Sequence, residues 1–322
     1  MSRYFLVIAI TVVFISCKKE ASDEFLIDTT NPLNDTSWRT NISADAPVNK
    51  IFESLSTSSQ ARSIDVKTDY TVRFNDYLQI KFPANSCKGE SGENISGTVK
   101  IEVKYLRTRG DMIRFKKSTT SYDRILESGG AFNIKVTQNG RPLKLAPEKF
   151  ITIRYRNSKV DPQMRIFYGD TTVNNLDNFT WVPAADMQRV NIWRDSGSMN
   201  YGYEMFSKKF NWINCDKFAD TTKPRTTVSA ILPVNFTNNN TAVYLVFKDM
   251  LSVIRMYTNV ANRLFYFNDI PINTNVTIVS ISKIGDNFYL GTKEARITRN
   301  QVVKLSPQKK TKKEIDDYIN SL

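Results

Sequence analysis

Val99, Ile101, Val103 and Tyr105 alternate with Lys100, Glu102 and Lys104, so one face of this segment is apolar and the other charged. A period of two puts successive side chains on opposite faces of an extended chain, whereas a helix would scatter the same residues around its axis. The pattern recurs at Val72 and Phe74, at Leu78, Ile80 and Phe82, and at Phe132, Ile134 and Val136. The last of these runs into Asn139-Gly140, a hairpin signal, and then Leu143 and Leu145. Phe150 to Tyr155 closes the set. Half-buried strands at this spacing predict a mainly β chain with two β-sandwich domains and a short C-terminal helix.

The domain layout follows from where the pattern starts and stops. Residues 68–157 form the first sandwich and 158–222 a less regular connecting β segment. After Thr221-Thr222-Lys223-Pro224, residues 223–310 carry a second set of apolar runs, among them AVYLVFK and VTIVSISK. Residues 311–322 form a helix, with a capping box from Thr311 to Glu314 and Ile315, Tyr318, Ile319 and Leu322 on one face. That face is expected to cover an edge of the last sheet. Residues 17–67 are rich in Ser, Thr, Asp and Asn and read as a polar tether, with one short helix from Val48 to Leu55.

Composition narrows the chemistry. The chain has no histidine, which removes the commonest general base, the usual Ser and Cys catalytic pairs and most zinc sites. No Gly-rich phosphate loop, CxxC pair or acidic calcium loop is present, so no catalytic residue, metal or cofactor is assigned. The net charge of +13 is spread singly along the strands, with one dense block at Lys309-Lys310-Thr311-Lys312-Lys313. Nucleic acid is therefore not an expected partner. Asp111 and Glu127 admit an acid/base reading with Ser128 and Gly129-Gly130. Weighing more is an Asp that caps a turn and a Gly pair where backbones approach closely or φ is positive.

The first twenty residues resemble a bacterial lipoprotein signal. Arg3 precedes an apolar run from Phe5 to Ile15, too short to span a bilayer, and Phe14-Ile15-Ser16-Cys17 looks like a lipobox with Phe where Leu is usual. The resemblance implies a signal peptide at 1–16, lipid on Cys17, and an outer-membrane lipoprotein exposed on the surface or in the periplasm. The Lys/Asp/Glu-rich stretch after Cys17 is similar to the export tether of surface lipoproteins in Bacteroidota. With Cys17 lipidated, Cys87 and Cys215 remain as an even pair in an oxidising compartment, which permits a disulfide between domains. Two buried thiols are the alternative.

Residues 71–156 carry a second resemblance, on FPANS, GTVKIEVKYL, GDMIRFKKSTTS, LESGGAFNIKV and NGRPLKL in that order. They look like the β-sandwich domain of zonula occludens proteins, ankyrins and netrin receptors, in the form seen in Bacteroidota lipoproteins of unknown function. Some relatives cleave themselves at a His-Phe-Ser or His-Phe-Thr site, an activity that a chain without histidine cannot inherit.

Two function classes follow, both non-catalytic. One is a structural or assembly module that contacts another envelope protein. The other binds a glycan or other ligand, with Trp181, Trp193 and Trp212 as a stacking platform; core packing is the competing role for these rings.

Overall fold

The computed structural model describes residues 31–75, 78–173, 179–185, 190–194, 200–219 and 222–322. Cys17, the signal segment and the start of the tether lie outside them. The fold is mainly β, with three short α-helices among the described residues. Among the described residues no helix is long and apolar enough to cross a membrane.

Two pairs of sheets stack face to face. In the first pair, sheet I runs Gln60–Asp65, Thr98–Leu106, Arg124–Gln138, Asn211–Phe218, Arg165–Asp170 and Thr180–Pro183. Sheet II runs Val190–Arg194, Tyr201–Ser207, Ile151–Arg156, Leu78–Phe82 and Tyr70–Asn75. The alternating residues read from the sequence meet between them: Val99, Ile101, Phe132 and Ile134 from sheet I face Ile80, Phe82, Ile153 and Tyr203 from sheet II. Each fully buried aliphatic or Phe side chain contributes roughly 1.5–3 kcal/mol.

This unit is larger than the segment 68–157 expected from the sequence. The stretch read as a connecting segment supplies five strands, and Asn211–Phe218 pairs with Arg124–Gln138 in the middle of sheet I, with Ile213 opposite Phe132. Without that stretch the sheet would end at an open, hydrogen-bond-hungry edge.

In the second pair, sheet III runs Tyr257–Asn259, Leu264–Pro271, Arg225–Ile231 and Gln301–Lys304; sheet IV runs Val253–Arg255, Thr241–Phe247, Asn275–Ile284, Asn287–Arg296 and Gln308–Lys310. All seven residues of Thr241–Phe247 are buried. Val243, Leu245 and Phe247 point into the sandwich, while Ala242, Tyr244 and Val246 face a layer of helices. Burial on both faces explains why this strand reads as an unbroken apolar run.

The helices come from three distant parts of the chain. Helix α1 (Pro47–Leu55) starts with Pro at its first turn and lays Val48, Ile51, Phe52 and Leu55 over sheet IV. Part of the expected tether is thus fixed structure. Trp38 packs against Phe265 at 5.1 Å, Asn238 and Arg39 exchange two hydrogen bonds, and Gln60–Asp65 pairs along Thr98–Val103. Helix α2 (Arg109–Arg114) lies between two strands of sheet I, and α3 (Lys312–Asn320) forms near the C-terminus. The capping box predicted for α3 is present, but Ile315 and Ile319 pack against α2 and the face of sheet IV rather than sealing an edge.

At the hairpin, Asn139 and Gly140 have φ of 50° and 80°, as a type I′ turn requires. Gly140→Val places a β-branched residue in the left-handed region. It should lower stability by about 1–2 kcal/mol, read from the urea midpoint; an unchanged midpoint would show that the turn relaxes.

Candidate functional site

The residues from Arg107 to Gly130, which include the motif GDMIRFKKSTTS-LESGG, join the two sandwiches. Thr108 accepts from the Asp111 N–H and the Asp111 carboxylate accepts from the Thr108 N–H, so Asp111 caps α2. Gly110 lets α2 lie directly on α3, since a Cβ there would sit 1.9 Å from the Ile319 carbonyl oxygen. From α2, buried Arg114 donates to the Leu55 carbonyl at the end of α1, to Asp316 at 2.6 Å and to Asn320 at 2.8 Å. One guanidinium ties three helices together.

Beyond α2 the chain runs along the edge of sheet IV. Thr119 N–H donates to the Val253 carbonyl at 2.8 Å and Val253 N–H returns a bond to Thr119 Oγ1 at 2.9 Å. Ser118 accepts from Arg255 N–H, and Ser128 N–H donates to the Leu251 carbonyl. Ile125 and Ala219 are buried in the core of the second sandwich although Ile125 belongs to a strand of the first and Ala219 directly follows one. The joint is therefore apolar and hydrogen-bonded together, which favours one fixed arrangement.

A cleft of about 680 Å³ opens along this seam. One wall comes from the first sandwich through Tyr105, Arg107, Glu127 to Gly129, Arg156 to Asp161 and Tyr201; the other is Lys248 to Leu251 of the second. Lys217 bridges the carboxylates of Asp161 at 2.6 Å and Glu127 at 3.2 Å. This contact holds the Asp161 carboxyl below its ordinary range and raises the Lys217 ammonium. Both acids are thereby engaged by one ammonium. Asp111 caps its helix and does not line the cleft, so the two carboxylates of the acid/base reading are not brought together.

Under the cleft floor lies a sealed polar group. Asp216 is fully buried, accepts from Asn214 Nδ2 at 2.6 Å, and its Oδ1 has no partner among the described residues. Gly130, at φ +128°, turns the facing strand so that its N–H meets Ser128 Oγ at 3.1 Å. Complete burial pushes the Asp216 carboxyl well above its ordinary value near 3.8, against the pull of the Asn214 amide and of the nearby Ser128 hydroxyl and Gly129 N–H. The folded state then keeps a proton that the unfolded chain releases. Stability from this group is fully present below the unfolded pKa and is lost as pH rises toward the folded one. Asp216→Asn should remove that slope, on the order of 1.4 kcal/mol per pH unit between the two pKa values. Urea unfolding at pH 4.5 and pH 8 checks it; a variant whose difference from wild type is the same at both would show Asp216 ionised in the folded state.

Cys87 and Cys215 are buried free thiols, both in the core of the first sandwich, which is the alternative to the bridge that an oxidising compartment permits. Burial raises both, Cys87 to about 11. The tryptophans do not form one platform. Trp181 is 1 % exposed and donates to the Ser118 carbonyl, half-buried Trp212 packs edge-on to it at 6.2 Å, and Trp193 sits on the far edge of sheet II, donating to the Tyr155 carbonyl. None of the three lines the cleft. Four of its cationic residues, Arg107, Arg109, Arg156 and Lys159, escape a strand-by-strand reading, yet they stand in two short basic groups, LRTRGD and RYRNSK, and that local clustering is the available signal.

No family model and no curated protein matches the chain.

Proposed function

We propose that this chain is a non-catalytic lipoprotein of the cell envelope, anchored through Cys17, that binds a ligand in the cleft between its two sandwiches. What supports binding over a purely structural role is the cleft itself. It lies at a domain seam, where ligand sites concentrate, and its volume is in the range that small ligands occupy. A non-catalytic role fits the engagement of Glu127 and Asp161 by Lys217 and the sealing of Asp216.

The assembly reading keeps one observation of its own. The outer face of sheet III has no covering layer among the described residues, and Ile231, Val234 and Val302 are 37 %, 70 % and 57 % exposed on or beside it.

Detergent-extracted protein tested on a glycan array and in a pull-down from envelope extract separates the two. Ligand capture that is lost on altering the cleft supports the proposal; a specific protein partner with no ligand signal favours assembly. Cys17→Ser should release the protein or leave an uncleaved precursor, and normal processing with unchanged membrane fractionation would remove the anchor.

A further inference from the structure

The outer face of sheet II carries aromatic rings that neither sandwich uses for its core. Along Tyr201–Ser207, Tyr203 and Met205 point into the first sandwich, which leaves Gly202, Glu204 and Phe206 facing outward. Phe150 packs edge-on to Phe206 at 5.5 Å and is itself 46 % exposed. At the other end of the strand Trp193 stands opposite Gly202. None of these three rings belongs to a hydrophobic core cluster.

Strand geometry sets the distance between them. Gly202 and Phe206 lie four residues apart, about 14 Å along the strand. A Cβ at position 202 would sit 1.9 Å from the Tyr155 carbonyl oxygen, and the Trp193 indole N–H crosses the strand to donate to that same oxygen at 3.1 Å. The ring is thereby held down over the sheet, with the Arg154 guanidinium 5.7 Å from its centre. Covering a glycine with a ring also steadies an edge strand, so the placement of Trp193 does not by itself make a site.

What lies between the rings adds the second element. Asn191, Glu204, Arg154 and Gln79 share one register across four neighbouring strands, spaced about 4.8 Å apart. Arg154 Nε donates to Glu204 Oε1 at 3.0 Å and a terminal nitrogen of the same guanidinium goes to the same oxygen, which leaves Oε2 to accept from elsewhere. The Asn191 and Gln79 amides on either side each offer donors and an acceptor. The one ion pair is internal, so this row carries no net charge.

That charge balance selects the occupant. A nucleic acid needs a positive groove along its backbone, and a protein partner needs an apolar interface core that an ion pair would interrupt. A neutral glycan needs neither: its sugar rings stack on aromatic faces, and its hydroxyls both donate and accept. An open sheet face has no walls to enclose one sugar, and ring groups at two separated points suit an extended chain.

We propose that the outer face of sheet II binds a neutral, extended glycan of β-linked hexoses, stacked on Trp193 at one end and on Phe150 and Phe206 at the other, with its hydroxyls on Asn191, Glu204 and Gln79. This site is separate from the cleft and does not depend on what the cleft takes. The test is calorimetric titration of the full chain in detergent with cellohexaose, mannohexaose, cellobiose and a single-stranded oligonucleotide.

One of the two hexasaccharides should bind about tenfold or more tightly than cellobiose, which is too short to reach both ring groups, and salt should leave its affinity unchanged. Trp193→Ala and Phe150→Ala should each lower that affinity about tenfold or more, Phe150→Ala with an unchanged melting curve. Tyr122→Ala, an exposed ring held beside Thr180 of sheet I, and Lys159→Gln at the cleft should change nothing. Equal binding of cellobiose and both hexasaccharides would overturn the two-ended strip. Loss of hexasaccharide binding in Lys159→Gln would place the glycan in the cleft and overturn the proposal. Tighter binding of the oligonucleotide would overturn the neutral class, and failure of both hexasaccharides would overturn the site. Should Trp193→Ala lower the melting temperature, Phe150→Ala decides the matter, because its ring lies outside every core cluster.

Discussion

Arg114→Met should lower the free energy of unfolding by about 3 kcal/mol, near the lower end for breaking a buried ion pair. The Arg114 side chain is 4 % exposed and that of its partner Asp316 27 %, so water softens the loss on one side only. Removing the guanidinium leaves Asp316, Asn320 and the Leu55 carbonyl without their donor at the point where α1, α2 and α3 meet. Asp316 retains Lys312 at 3.4 Å, a partly exposed pair that offsets little. Adding Asp316→Leu to Arg114→Met should recover part of the loss, because the stranded charge goes with its partner. Urea unfolding of the two single variants and the double variant measures this. A double variant as unstable as the sum of the singles would show that the two groups act independently.

The same contact shows where local sequence stops being informative. Asp316 and Asn320 lie one turn apart on a helix that the capping box announces, and Arg114 sits in a motif that can be singled out by eye. Nothing in either stretch says that they meet across 202 residues. Period-two alternation makes 98–106 legible as a strand because its two faces see different surroundings. It does not say which strand comes alongside. Asn211–Phe218 therefore reads as a short piece of connection, although its pairing with Arg124–Gln138 completes the first sandwich. Helix α1 is legible from Val48, Ile51, Phe52 and Leu55 on one face, while its destination on the second sandwich is not. The cleft is hidden for the same reason: Arg109 and the Met250 carbonyl are 141 residues apart, and only the folded seam brings them together. Gly129-Gly130 is a different case. Its strained or close-packed geometry is the expectation from residue type alone, and the φ of +128° at Gly130 meets it.

Trp181→Ala should be more damaging than Trp212→Ala, the reverse of what their neighbours in sequence imply. Both tryptophans stand beside an apolar residue, Val182 and Ile213, and Trp212 belongs to the longer and more regular strand. Read locally, Trp212 is the better core residue. In the fold, Thr180–Pro183 is an edge strand of sheet I whose outer face is covered by the segment following α2. Trp181 is enclosed there by Phe179 at 4.8 Å, by Trp212, and by Phe167, Leu106 and Leu126. Its indole N–H donates to the Ser118 carbonyl at 3.0 Å, one residue before the Thr119 pairing with sheet IV. Truncation at a site this enclosed costs about 3–5 kcal/mol, cavity included. Trp212 keeps one side toward solvent beneath Lys117, whose ammonium lies 4.8 Å from its ring, so its loss should cost clearly less. Because none of the three tryptophans lines the cleft, Trp212→Ala and Trp193→Ala should leave cleft binding intact at temperatures where the variants stay folded. Melting curves of the three variants beside one binding titration give the comparison. Loss of ligand binding in a Trp193→Ala protein of normal stability would move the binding site from the seam to the edge of sheet II.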